Sequence, residues 1–445
     1  MKFSTLLASG FFAAAVSAFQ PAFNTGVAHT RGLAGPLSVA TFTGTVDIQE
    51  TAQRDVYTMQ DWARNCGVQT AEGFELTTND GYDWSAMTNQ YIPAGTPILY
   101  VPQGLVISSS DVEGEFGGNL LAAENMLSQN DETAKRLPLF RLMVKILSEY
   151  EQGQQSPYFP WLNSLPRLFY NGVAMTDACF DCLPPYAAAL SMQERNTFSR
   201  FLNVLKKGYL PLSQETLEND DLMRWAYNVG LTRFTEVWQP VRAKNIAPLA
   251  DMFNHATDAN VALTYDEYGN CMATALQDIA PGSPLTISLG DPSNPTPLFA
   301  KYGFLYNDSP TIFCKAVQLE NQIKALGYDF KDLLFFTQTG EISPKVWDIF
   351  LYSLLEQDPN GEGFFAACKS NDEATKQAYH GQYFPYTLDA VKAHVGNILQ
   401  DIDVLTNKAN SYDVRTHPRV PVIVAHNELV KSTFMLVQQQ LNAMG

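Results

Sequence analysis

Two stretches decide how this chain is read: IAPLADMFNHATDANVAL at 246–263 and IAPGSPLTISLGDPSNPTPLFAKYGFLYND at 279–308. Both belong to a region of short β-type runs broken by Asn, Gly and Pro. Asn254-His255 follows an apolar, strand-like run. The second stretch passes Gly282, Ile287-Ser288 and Gly290 on its way to Tyr302-Gly303-Phe304. Working outward, residues 58–110 read as short strands and turns, with TPILYVPQGLVIS at 96–108 the clearest. Residues 115–155 read as helices, because Leu139, Leu142, Met143, Ile146, Leu147 and Tyr150 form one helical stripe. SPYFPWLNSLPRLFYNG at 156–172 reads as an aromatic loop, and helix follows to about Tyr227. From about 320 the pattern is helical again, and Val430, Phe434, Val437 and Leu441 repeat at spacings of 4, 3 and 4. The order β, helical insert, β, then helices predicts an α+β protein.

The chain has 445 residues, 46% of them hydrophobic and 12% aromatic, enough to build large cores. Its 29 Lys and Arg against 46 Asp and Glu leave a net charge of −17. That balance argues against nucleic acid and anionic membrane surfaces as partners. Beyond residue 18 no apolar run reaches the ~18 residues of a membrane span. Six cysteines in a chain this long make no disulfide framework.

The acids are unevenly placed. Residues 1–46 contain none, and carry only Lys2 and Arg31, so the remaining chain stands at −19. MKFSTLLASGFFAAAVSA at 1–18 has the layout of a signal peptide cut after Ala18. Phe19-Gln20-Pro21 and an acid-free, Ser/Thr/Ala/Gly-rich stretch follow. The combination resembles the two-part plastid presequence of algae with secondary plastids, which implies the plastid stroma; plain secretion is the alternative.

The two opening stretches resemble the SET-domain protein methyltransferases of the class typified by the Rubisco large-subunit lysine methyltransferase. LMRWAYNVGLTRF at 222–234, SPYFPWLNSLP and HPRVPVIVAHNELVKSTF at 417–434 fit the same class, in the same order. The resemblance implies a knotted β-rich SET core over 47–308 with a helical insert at about 113–228. An all-helical substrate-binding domain over 309–445 then follows. It implies S-adenosyl-L-methionine as cofactor and a lysine-bearing protein substrate, Rubisco or another plastid protein; relatives of this layout also act on histidine.

Carried over position by position, the resemblance places Asn254 and His255 at the cofactor and Arg233 beside its carboxylate. It sets Asp251 near the incoming lysine and Tyr302 by cofactor and channel. Other readings stand beside these. Asn254-His255 could be a turn, Arg233 could pair with Glu236 or Asp251, and Tyr302 could be a core aromatic. The class has a Gly-x-Gly turn at the cofactor, and counting back from TPILYVP it falls on Asp83, Trp84 and Ser85, with Gly81 displaced. Its catalytic tyrosine position is Leu289, whose side chain has no oxygen to offer. These departures support a second reading, a non-catalytic protein-binding module. Cys179 and Cys182 form a lone CxxC without zinc-like partners. His380, His394, His417 and His426 lack metal spacing and read as surface or capping residues.

Overall fold

The computed structural model describes residues 45–238, 242–290 and 294–445. The leader expected over residues 1–46 thus lies outside the described residues up to position 44. The chain divides into two compact units: residues 45–168 with 197–289, and residues 169–196 with 290–445. Segments 169–196 and 290–308, which the sequence reading places with the core, group with the C-terminal segment. The dividing point at 196/197 falls inside helix Pro185–Leu205.

The first unit is built on short strands. β1 (Gln69–Thr70), β4 (Pro97–Val101), β10 (Cys271–Ala275) and β9 (Val261–Tyr265) form one antiparallel sheet in that order. β11 (Ser283–Pro284), β3 (Ser85–Thr88) and β2 (Phe74–Thr77) form another. β5 (Ile107–Ser108), β7 (Arg242–Ile246) and β6 (Thr235–Trp238) form a third. β8 (Asn254–His255) pairs in parallel with β12 (Thr286–Ile287), Asn254 opposite Thr286 and His255 opposite Ile287. β4 shows why such short strands hold: Ile98, Leu99 and Val101 are fully buried, so β-branched and apolar side chains fill the core while the ladder satisfies the backbone.

Residues 58–110 are not all strand and turn as expected. α1 (Val56–Asn65) buries Val56, Met59, Gln60 and Ala63, a helical spacing, and Asp55 caps it by accepting from the Thr58 N–H at 3.1 Å. The expected aromatic loop contains α4 (Phe159–Ser164), with Trp161 fully buried. In the insert, α2 (Asp111–Leu127) kinks at Gly117, whose φ is 52°. α3 (Leu137–Glu151) buries the whole predicted Leu139-to-Leu147 stripe. α5 (Asp220–Arg233) has Asn219 as its cap, Asp220 and Asp221 in the first turn and Arg233 in the last, which suits the helix dipole. Gly230 lets α5 approach α3 closely, since a Cβ there would lie 3.3 Å from Leu139.

The second unit is mainly helical: α6 (Pro295–Tyr302), α7 (Pro344–Leu355), α8 (Gly361–Ser370), α9 (Glu373–Asn410) and α10 (Val420–Ala443). It is not all-helical. β13 (Thr311–Phe313) and β14 (Leu334–Phe336) form an antiparallel pair, and Ile312 and Phe335 from the two strands are fully buried in its core. Three-residue strands are too short to show a period of two. α10 is long and apolar enough to cross a membrane, but Val430, Phe434, Val437 and Leu441 are buried in the same core.

The histidines differ from expectation too. His426 is fully buried and stacks on Phe299 with ring centroids 4.6 Å apart. His394 is buried and donates from Nε2 to the Cys314 carbonyl at 2.6 Å. His380 Nε2 meets Asp348 Oδ1 at 2.8 Å. His380 and His417 are both half-buried, and His417 lies 3.4 Å from the Thr176 hydroxyl. Cys179 and Cys182 are buried free thiols in a small apolar cluster.

Asp348 is a buried carboxylate of this unit. Its carboxylate receives Lys376 Nζ at 2.8 Å, His380 Nε2 at 2.8 Å and the Tyr328 hydroxyl at 2.7 Å. Burial opposes its ionisation, but the hydrogen bonds from His380, Lys376 and Tyr328 outweigh it and hold the carboxyl below its ordinary range. Asp348→Ala should therefore cost about 3 kcal/mol at pH 7, read by urea unfolding. A depressed carboxyl stabilises above its unfolded-state pKa and stops doing so as pH falls through its folded value. The difference between wild type and variant should persist from pH 7 to 5 and shrink below about 3.9. A difference that stayed constant into acid would show that the Asp348 charge carries no stability.

Candidate active site

Three segments of the first unit bring polar groups to Asp251. The residue sits on a single 3-10 turn, Ala250–Met252, entered through Leu249 with φ 71°. That left-handed conformation is unfavourable for a branched, buried leucine and is held by its surroundings. The Asp251 N–H closes the turn onto the Ala247 carbonyl at 3.0 Å. Trp161 donates from its indole nitrogen to Asp251 Oδ2 at 3.1 Å. Arg233, at the end of α5, donates from Nη1 to the Asp251 main-chain carbonyl at 2.7 Å. Arg54, fixed just before the cap of α1, donates to the carbonyls of Ser164 at 2.7 Å and Tyr82 at 2.5 Å. Its third nitrogen lies 3.6 Å from the Met252 sulfur.

Two atoms of this cluster are buried without a partner among the described residues: Asp251 Oδ1, an acceptor, and Arg233 Nε, a donor. Burial raises the Asp251 carboxyl, against the pull of Arg233, Trp161 and Arg54. Burial likewise lowers Arg233, opposed by Asp251 and Asp83. Arg54 is lowered to about 9, by burial first and by the charge of Arg233 second, with Asp251 and Asp83 opposing. Two guanidiniums thus share one buried carboxylate. An open donor and an open acceptor are what a ligand with a carboxylate at one end and an amine at the other would meet.

Beside this cluster, β8 carries Asn254, exposed, and His255, buried. The alternative reading of Asn254-His255 as a turn gives way to the parallel bridge to β12. The Leu289 N–H donates to His255 Nδ1 at 3.1 Å. Burial lowers His255, and a hydrogen bond with the Ile287 backbone opposes that shift. Leu289 is half-buried, its backbone held by the histidine and its side chain purely apolar.

The turn at 83–85 is built differently from a Gly-x-Gly. Gly81 takes the left-handed backbone, φ 80°. Asp80 Oδ1 accepts the N–H groups of Tyr82 and Asp83 at 2.8 and 2.9 Å. Trp84 is buried, donates to the Gly81 carbonyl at 3.2 Å and meets Tyr57 edge-on at 5.3 Å. Ser85 opens β3 opposite Thr77. Asp83 is exposed, and its charge acts on Arg54 and Arg233.

Arg233 does not pair with Glu236, which binds Arg242 and Lys244 at 2.8 Å each. Tyr302 belongs to the second unit, as the last residue of α6, and its hydroxyl accepts from Lys301 Nζ at 2.9 Å. The next residue, Gly303, has φ 80°, and a Cβ there would stand 2.5 Å from the backbone of Tyr170 and Asn171, so only glycine fits. Two residues of the site escaped the sequence reading. Trp161 lies in a quoted motif but had no assigned role. Arg54 shows no local signal beyond preceding a helix cap. Among the described residues no three His, Cys, Asp or Glu side chains are grouped to hold a metal ion.

Residues 83–290 match the family model of the SET domain. The fold of the chain is similar to those of solved Rubisco LSMT structures. It is similar to the solved SET domain of LSMT bound to lysine and AdoHcy, with a TM-score of 0.60, 13% identity, and coverage of 87% of this chain and 91% of that one. It is similar to Rubisco LSMT bound to AdoMet, with a TM-score of 0.56, 13% identity and coverage of 88% and 92%. Rubisco LSMT bound to sinefungin and monomethyllysine matches at a TM-score of 0.56, 12% identity and the same 88% and 92%. No curated protein is similar to the chain in sequence.

The shared carboxylate gives a direct test. Asp251→Asn keeps an acceptor for Trp161 but leaves two half-buried guanidiniums with only the exposed Asp83 as counter-charge, and should cost about 2 kcal/mol in urea unfolding. Combined with Arg233→Gln, the loss should be less than additive. Strict additivity would mean that Asp251 and Arg233 do not share one charge network.

Proposed function

We propose that the chain is an S-adenosylmethionine-dependent protein-lysine N-methyltransferase of the Rubisco large-subunit type, slowed by Leu289, and that it acts on a plastid protein. The observation that carries this reading is the Asp251 cluster, with its open acceptor and open donor beside the Asn254-His255 bridge. The fold likeness to proteins solved with AdoMet, AdoHcy and lysine supports it. The open Arg233 Nε and the neighbouring Arg54 suit the carboxylate of S-adenosylmethionine, and the open edge at Asn254-His255 suits its polar remainder. When bound, that cofactor supplies a methyl group on a positively charged sulfur. The chain's own residues hold and orient. Asp251 Oδ1 accepts from the incoming lysine and captures it as a cation. Burial around the cluster then favours the neutral amine that transfer needs. Neutral His255 fixes the backbone at Leu289. Leu289 contributes an apolar wall but no oxygen to align the amine, and loss of one such positioned group commonly costs about 10²–10³ in rate.

The second reading, a catalytically inactive SET-fold protein-binding module, is favoured by the same leucine and by the crowded turn at Asp83-Trp84-Ser85. Calorimetric titration with S-adenosylmethionine separates the two. Binding is expected, and no heat at millimolar cofactor would sink the enzyme reading. Leu289→Tyr should then raise methyl transfer to lysine; an unchanged or lower rate would remove Leu289 from the catalytic position.

The plastid location rests on the acid-free leader. A reporter fused to residues 1–46 should enter the plastid, and Phe19→Ala should divert it. Reporter in the medium would reject the location in favour of secretion.

A further inference from the structure

The end of α4 is clamped by an arginine that makes no hydrogen bond to Asp251. Arg167 is only 5% exposed, and its hydrogen bonds among the described residues all go to neutral oxygens. Nη1 donates to the Leu165 carbonyl at 2.7 Å and to the Leu162 carbonyl at 3.3 Å. Nη2 donates to the Asn163 carbonyl and to Asn163 Oδ1, each at 3.0 Å. The last carbonyls of a helix have no partner within it, and a cation beside them suits the helix dipole. α4 has only six residues, too few to hold its own form. One buried side chain therefore fixes the direction of the carbonyls over 162–165.

Those carbonyls also carry Arg54. The Asn163 carbonyl, already bound by Arg167, accepts the Asp55 N–H at 3.1 Å. The Ser164 carbonyl, one residue on, accepts Arg54 Nε at 2.7 Å. Arg54 and the cap residue after it thus hang on the turn that Arg167 holds. With Nε tied to Ser164, the plane of the Arg54 guanidinium follows where that carbonyl points. Burial is the largest influence on the charge of Arg54 and the Arg167 charge ranks last, so the link between the two arginines is geometric.

We infer that Arg167 is a positioning residue for the proposed cofactor site: by clamping the turn at 162–165 it sets the direction in which Arg54 presents its guanidinium. The group Arg54 then meets is the carboxylate of S-adenosylmethionine, so this inference rests on the methyltransferase reading. A forked donor is needed, because the acceptors lie on both sides of Asn163 and a single ammonium cannot span them.

Calorimetric titration of the full chain with S-adenosylmethionine, at a temperature where circular dichroism shows each variant folded, tests this. Arg54→Met should weaken binding roughly 30-fold, and Arg167→Met roughly 10-fold. The variant carrying both should bind no more weakly than Arg54→Met alone, because Arg167 acts only through Arg54. A further loss of about tenfold in the double variant would make Arg167 a general support of the fold and overturn the inference. Unchanged affinity in Arg167→Met would overturn it as well. If Arg167→Met does not fold, Arg167→Lys takes its place, with a loss of about threefold in the wild-type background and none beside Arg54→Met. If wild type binds no S-adenosylmethionine, the methyltransferase reading fails, and the link is read from urea midpoints instead. Arg54→Met and Arg167→Met together should then lower the midpoint by less than the sum of their separate shifts; strict additivity would remove the link.

Discussion

One half-buried carboxylate organises the first unit. Asp251 is reached by Trp161 from α4, by Arg233 from the end of α5 and by the field of Arg54 from the start of α1. Taking one partner away strands the others in a poorly solvated place, so the segments are held as a group. The left-handed Leu249 fits this account. The backbone strain at 249 is what turns Asp251 inward, and the charges that meet it there repay that strain. The helix caps then do long-range work. Asp55 fixes where α1 begins and hence where Arg54 points, and the cap at Asn219 sets where α5 begins.

The β8–β12 bridge separates two roles that one residue often combines. At Leu289 the backbone role is intact, because its N–H is held by His255 Nδ1. The side chain is apolar and offers no hydroxyl. Main-chain hydrogen bonds do not depend on the side chain, so the frame can stand whichever residue occupies position 289. A kept frame around a changed group is therefore evidence about architecture first and about rate only afterwards.

What could be read from the sequence follows the length scale of each signal. The stripe from Leu139 to Leu147 and that from Val430 to Leu441 were legible because a 3.6-residue period repeats several times, and both are buried as expected. α1 was missed because exposed Tyr57 and polar Gln60 blur a ten-residue pattern. β13 and β14 were missed because three residues cannot show a period. The motif residues Arg233, Asp251, Asn254 and His255 do gather in one unit. Arg54 was invisible because its partners Tyr82, Ser164 and Met252 lie 28, 110 and 198 residues away in sequence. The histidines misled for a related reason. Whether a histidine is buried depends on what stacks on it, and Phe299 against His426 is a contact across 127 residues that no local pattern announces.

Two charge clusters of this chain are completed to different degrees. Asp348 is fully satisfied by Lys376, His380 and Tyr328, and a satisfied network calls for no ligand. The Asp251 cluster is satisfied in part: one carboxylate serves two guanidiniums, and one donor and one acceptor stay open. An open buried atom is unfavourable wherever it lies. Asp348 therefore reads as structure, and the open atoms at Asp251 and Arg233 are the physical reason to test that cluster with a ligand.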